Sequence, residues 1–268
     1  MRDPQITIGG VDHEPAEFEV IEHIGGERRH RPGKQGVTAN RLHEGDQLEG
    51  TVDFLSVVDN ASLTRIEGLT NVAQVGMLQV THNPALEELA GLDHLKQVNQ
   101  VEIKENPQLR SLEGLTNLEV VTEKFSITDN AKLESLSVFS ALRDVQGLFR
   151  VNTNPALTNL DGFQALETVS GHILVEGNTA LESLDGFTNL ITVGDNLSVK
   201  DNPSLGSLKG FTKLTSVGGD FEFENNDALT NLQGLSEVEV VGGNFWIVQN
   251  DVLVQMEAFT NLEAVGGL

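Results

Sequence analysis

Residues 193–216 read VGDNLSVKDNPSLGSLKGFTKLTS, and residues 217–240 read VGGDFEFENNDALTNLQGLSEVEV. Laid one over the other, they agree at Val193/Val217, Gly194/Gly218, Asn202/Asn226, Leu205/Leu229, Leu208/Leu232 and Gly210/Gly234. Extending this comparison outward finds the same asparagine at Asn60, Asn83, Asn106, Asn130, Asn154, Asn178, Asn202, Asn226 and Asn250, spaced first by 23 residues and then by 24. A leucine follows three places after every one of them, from Leu63 to Leu253, and a valine fifteen places after, from Val75 to Val265. Self-similarity at such a period is the signature of a solenoid. One turn reads V-G-G-x-[LF]-x-[VI]-x-x-N-P-x-L-x-x-L-x-G-[LF]-T-N-L-x-x.

Each part of the turn has a physical reading. Before the asparagine, apolar and mostly polar residues alternate, with Leu197 and Val199 inward and Ser198 and Lys200 outward. Period two describes a strand with one buried face. Stacked turns pair these strands in parallel at about 4.8 Å, so nine turns make a sheet roughly 40 Å long. The asparagines then form a file at the corner, where a buried amide can donate and accept along the stack and to the turning backbone. An asparagine ladder is expected, not nine binding sites. After the corner, L-x-x-L supplies two inward anchors per turn, such as Leu181 and Leu184. The following glycine, Gly186 in that turn, takes an unusual backbone angle or lets the chain pass close to its neighbour. The Thr, Ser or Asp that usually comes two places later, as in Thr188-Asn189-Leu190, is expected to cap a single helical turn.

Residues 46–268 therefore form a β-rich solenoid of nine turns, and residues 1–45 an irregular N-terminal cap with ITIGG and FEVIEHI as strands. Within the cap, ERRHRPGKQG (27–36) reads as an exposed basic loop, and His13, His23, His30 and His43 match no metal-ligand spacing. Val265-Gly266-Gly267-Leu268 opens a tenth turn, which predicts a truncated, uncapped C-terminal end prone to end-to-end association.

Composition narrows function. With 38% apolar residues in 268, the chain has enough to build a core. It has no cysteine, which excludes disulfides, thiol nucleophiles and cysteine-bound zinc. The charge of −23 is concentrated in residues 46–268, where 11 basic and 32 acidic residues give −21. Such a surface repels phosphate backbones and anionic membranes, so neither nucleic acid nor direct membrane insertion is expected. The N-terminus, MRDPQITIGG, has no apolar signal-peptide core.

The G-x-L-x-I-x-x-N-P-x-L-x-x-L-x-G-L-x-x-L-x-x-V pattern resembles the receptor L-domain repeat, a leucine-rich-repeat-like module found in ligand-binding ectodomains and in fungal and bacterial surface proteins. The resemblance covers residues 46–268. It implies a right-handed solenoid of the horseshoe type that is extracellular or on the cell surface, is not an enzyme, needs no cofactor and binds a protein or glycan.

The outward strand residues run Ser56/Val58, Gln79/Thr81, Glu102/Lys104, Ser126/Thr128, Arg150/Asn152, Leu174/Glu176, Ser198/Lys200, Glu222/Glu224 and Trp246/Val248. No column repeats a catalytic type. Glu222 and Glu224 lie about 7 Å apart by strand rise, a spacing open to acid–base work but commoner between solvated glutamates. No regular threonine array suits ice, and the aspartates Asp195 and Asp220 do not recur as a calcium-binding turn would require. A varied face on a regular scaffold suits one irregular partner. Trp246, the sole tryptophan, and Val248 are the leading ligand-binding candidates, with Leu174, Arg150 and Lys104 beside them. A passive wall or surface-layer spacer is the alternative. Of two glycosylation sequons, Asn60 belongs to the ladder, whereas Asn196 sits in a turn.

Overall fold

A computed structural model describes residues 6–10, 37–39, 50–70 and 72–266. The face strands of the nine turns are Gly50–Val58, Val72–Thr81, Gln97–Lys104, Val120–Thr128, Leu148–Asn152, Ile173–Glu176, Leu197–Lys200, Phe221–Glu224 and Phe245–Val248. Each pairs in parallel with the next, in register from Ser56↔Gln79 to Glu222↔Trp246. The sheet is the expected parallel β-solenoid. A strand at Ile6–Gly10, the expected ITIGG, runs antiparallel to the first face strand and pairs with Val37–Ala39. FEVIEHI, the basic loop 27–36 and His13, His23, His30 and His43 lie outside the described residues.

The core is the inward set that the repeat selects. Leu181, Leu184, Leu197 and Val199 and their equivalents are buried in almost every turn. Phenylalanines thicken it from turn four onward, with Phe125 and Phe149 stacked at 5.1 Å and Phe187 and Phe211 at 5.6 Å. Such ring pairs contribute beyond their buried area.

The asparagine file behaves as a ladder. Asn154 Nδ2 donates to Ile127 O of the preceding turn at 3.0 Å and to Asn152 O at 2.9 Å. Its Oδ1 accepts the backbone N–H of Asn130 at 3.1 Å. The same pattern repeats from Asn83 to Asn250, and the eight asparagines from Asn60 to Asn226 are at most 1% exposed. A ladder asparagine thus serves the backbone where the strand's own bonds stop. The residue before it is left-handed in every turn, with φ from 53° to 59° at eight non-glycine positions and 68° at Gly177.

The repeat glycine acts by close approach, because a Cβ at Gly162, Gly186 or Gly210 would run into the carbonyl of the turn before. The one-residue difference between 23- and 24-residue turns is absorbed before the face strand. Register slips between Val98 and Gln100, where turn four carries an extra residue, and the inward pattern survives. From turn five the same place becomes a break, which leaves a separate short strand such as Thr168–Val169 stacked on Thr192–Val193.

The expected cap requires correction. The short helices Glu113–Leu115, Ser137–Phe139, Asp161–Phe163, Asp185–Phe187 and Lys209–Phe211 begin one residue before the glycine, or before Val138 in its place, so Thr116, Thr188 and their equivalents sit at the C-terminal end. Satisfaction of the N-terminal end comes from further upstream. Ser111, Ser135, Asn159, Ser183, Ser207 and Asn231 each accept the N–H two residues on, at 3.0–3.4 Å. A helix with leucine at its start has no side-chain acceptor of its own, and this column supplies one.

Candidate functional site

On the outward side of the face strands chemistry differs from turn to turn while the backbone does not. Much of it satisfies itself across the strands. Ser56 Oγ donates to Gln79 at 3.0 Å, Gln79 Nε2 to Glu102 at 3.3 Å, and Lys124 Nζ to Glu102 at 2.6 Å. The hydrogen bond from Lys124 outweighs partial burial and holds the Glu102 carboxyl below its ordinary value. A second cluster joins Lys200 to Glu222 at 2.7 Å and to Glu224 at 3.7 Å, with Ser198 Oγ donating to Glu222 at 3.3 Å. Partial burial works against the Lys200 charge, but the hydrogen bond that Lys200 donates to Glu222 and the charges of Glu222, Glu224 and Glu176 hold its pKa above the usual lysine value. Glu222 and Glu224 therefore share a lysine between them and do not form a free carboxylate pair.

The five sequence-selected residues fall into three places. Lys104, in turn three, pairs with Glu105 at 2.8 Å, and this bond raises its pKa. Arg150 and Leu174 are register partners on adjacent strands of turns five and six. Trp246 and Val248 share the turn-nine strand and are both 45% exposed. The structure brings Arg150 to Leu174 and Trp246 to Val248, but not these pairs to each other or to Lys104. Four strand spacings separate Arg150 from Trp246, roughly 19 Å.

A third outward column, two residues before the others, escaped the sequence reading. It carries Phe54, Met77, Gln100, Lys124, Leu148, His172, Asn196, Asp220 and Asn244. The same period-two alternation, followed one step upstream, would have found it. Leu148 from this column lies on the strand of Arg150, and His172 immediately precedes the strand of Leu174, where its Nε2 is 3.2 Å from Asp195. Asn196, Asp220 and Asn244 form a second, shorter ladder: Asn196 Oδ1 accepts Asp220 N–H at 2.8 Å and Asp220 Oδ1 accepts Asn244 N–H at 2.7 Å. Asp220 is thus occupied by backbone. Sequon Asn60 is 1% exposed, while Asn196 is half-buried.

Among the described residues, no group of three or more His, Asp or Glu side chains is arranged to hold a metal, and no helix is long and apolar enough to cross a membrane. Residues 117–185 match the family model of the receptor L domain, whose members are non-enzymatic ligand-binding domains of extracellular type. No curated protein matches the chain.

Proposed function

We propose that this receptor L-domain-like solenoid is a non-enzymatic recognition or adhesion module that binds a protein or glycan partner on its strand face, outside the cell or at its surface. One observation carries the reading: on a face whose polar residues mostly bond one another, Trp246 and Val248 stand 45% exposed beside each other. An exposed tryptophan with an aliphatic neighbour offers a rigid, largely apolar contact that loses little entropy on binding. Arg150 and Leu174 form a second contact, and Lys104 a rim charge already shared with Glu105.

Titrating the chain against arrays of extracellular proteins and glycans tests this reading. A single saturable partner whose affinity falls at least tenfold on Trp246→Asp together with Arg150→Glu supports it. A partner indifferent to both changes, or none at all, refutes it and leaves a passive spacer.

A further inference from the structure

Arg150 is the anomaly of the strand face. Its Nε is buried and has no hydrogen-bond partner, and its guanidinium makes no ion pair with any described residue. The other described arginines all have an acid at hand: Arg65 meets Glu88 at 2.6 Å, Arg143 meets Glu119 at 2.9 Å, and Arg110 meets Glu134 at 4.0 Å. The face lysines are also paired, Lys124 with Glu102 and Lys200 with Glu222. In a solenoid with 32 acidic residues between 46 and 268, an internal partner would need only one glutamate at a neighbouring position. The register instead places Ser126 on one side of Arg150 and Leu174 on the other.

A buried N–H without an acceptor is costly, and such a group in a folded protein calls for an explanation. An acceptor that arrives with a ligand is one. The surroundings define its chemistry. Leu148, two residues before Arg150 on its strand, and Leu174, its register partner on the next, are both half-buried, while Ser126, its register partner on the other side, and Thr128, two residues further along that strand, make no side-chain hydrogen bond to any described residue. A planar fork with five donors matches a carboxylate held by two parallel bonds.

Resting on the strand-face reading above, we propose that Arg150 receives the carboxylate of a single Asp or Glu in a peptide segment of the partner, seated between Leu148 and Leu174 with Ser126 and Thr128 as further donors. Two features favour a peptide over an acidic sugar or a polyanion. The walls are aliphatic, and the phenylalanine and tryptophan of the outward face, Phe54 and Trp246, are each roughly 19 Å away. The solenoid's charge of −21 repels polyanions at long range, whereas one carboxylate inside a Debye length of about 8 Å feels mainly the cation it touches.

The experiment is selection of a displayed random-peptide library on the full chain, repeated on Arg150→Gln and Arg150→Met. The expected winners carry one acidic residue next to an aliphatic one. Their affinity falls at least tenfold on Arg150→Gln and equally on changing the peptide's acid to its amide, and the two losses do not add. The Arg150 Nε–H resonance moves on adding the acidic peptide and stays put with the amide analogue. Because Arg150→Met removes an unsatisfied donor, its melting temperature equals or exceeds that of the wild type. A lower one would make the arginine a structural member and overturn the proposal. Winners without an acid, winners indifferent to Arg150, a uronate oligosaccharide bound through Arg150 while no peptide is, or no enrichment each overturn it as well. Winners lost on Trp246→Asp but not on Arg150→Gln would remove this inference and leave strand-face recognition standing.

Discussion

Truncating one rung of the asparagine ladder should cost far more in the middle of the file than at its end. Asn154 is 0% exposed. In Asn154→Ala, the carbonyl of Asn152 keeps the Asp129 N–H at 3.1 Å, and Asn130 Nδ2 keeps Ile103 O at 3.1 Å and Thr128 O at 2.9 Å. One buried group is left without a partner, the backbone N–H of Asn130, which had donated to Oδ1 at 3.1 Å; the carbonyl of Ile127 loses the bond from Nδ2 at 3.0 Å but keeps the strand bond that its parallel register with Val151 provides. At 1–3 kcal/mol for a buried group left unmatched, together with the lost second bond to the Ile127 carbonyl, the loss is about 3 kcal/mol. Asn250 makes equivalent bonds, accepting Asn226 N–H at 3.0 Å and donating to Phe223 O at 3.0 Å, but it is only partly buried. Water replaces what Asn250→Ala removes, so that loss is about 1 kcal/mol. Equilibrium urea unfolding, followed by circular dichroism and by Trp246 fluorescence, measures both. Coincident transitions and an unchanged m-value show that the comparison is of like with like. A loss below about 1 kcal/mol for Asn154→Ala, or equal losses at the two positions, would refute the account of the ladder as backbone satisfaction in a dry corner.

Two further outcomes follow from the same geometry. The Glu102 carboxyl titrates below its ordinary 4.5 in the folded chain, so its bond with Lys124 stabilises the fold above that value and is lost as pH falls through the folded pKa. Lys124→Gln should therefore raise the Glu102 pKa, read by carbon NMR. It should lower stability at neutral pH by under about 1 kcal/mol, with no difference from wild type in strong acid; an unchanged Glu102 titration would contradict this. Thr153 holds φ 53°, an angle that disfavours β-branched residues, and the same place in turn eight carries Asn225 at φ 54°. Thr153→Asn should raise stability by up to about 1 kcal/mol, and a fall in melting temperature would show that Thr153 makes a contribution that the backbone angle does not explain.

The sequence made the inside of the solenoid legible because burial imposes itself at the same place in every turn. Leu181, Val199 and Asn178 recur because each must fill or satisfy an identical site, so period alone identifies them. Features that admit several chemistries left weaker traces. The left-handed residue before the ladder is Asp59, His82, Glu105, Asp129, Thr153 and Gly177 in successive turns, and only its backbone is shared. The serines that serve the short helices occupy a place in L-x-x-L that also holds Arg65 and Glu88, so it resembles ordinary solvent-facing variation. The same limit applies at the site. Alternation alone places Lys104 and Arg150 on one face, but whether each is neutralised depends on the side chains next to it. Glu105 reaches Lys104, and no acid among the described residues reaches Arg150.

That difference bears on where a partner can bind at least cost. A ligand approaching the Ser56–Gln79–Glu102–Lys124 chain, or the Ser198–Glu222–Lys200 cluster, must displace hydrogen bonds the face already makes with itself. Exchanging one satisfied bond for another yields little net free energy. The chain of internal bonds breaks at Arg150–Leu174 and again at Trp246–Val248. At the first break a donor stands unmatched, and at the second two apolar side chains stand in water. A partner gains a bond or buries apolar area there without undoing anything. Because the ladder and the core hold each turn without help from these outward positions, substitutions at them are expected to alter what is bound before they alter whether the chain folds.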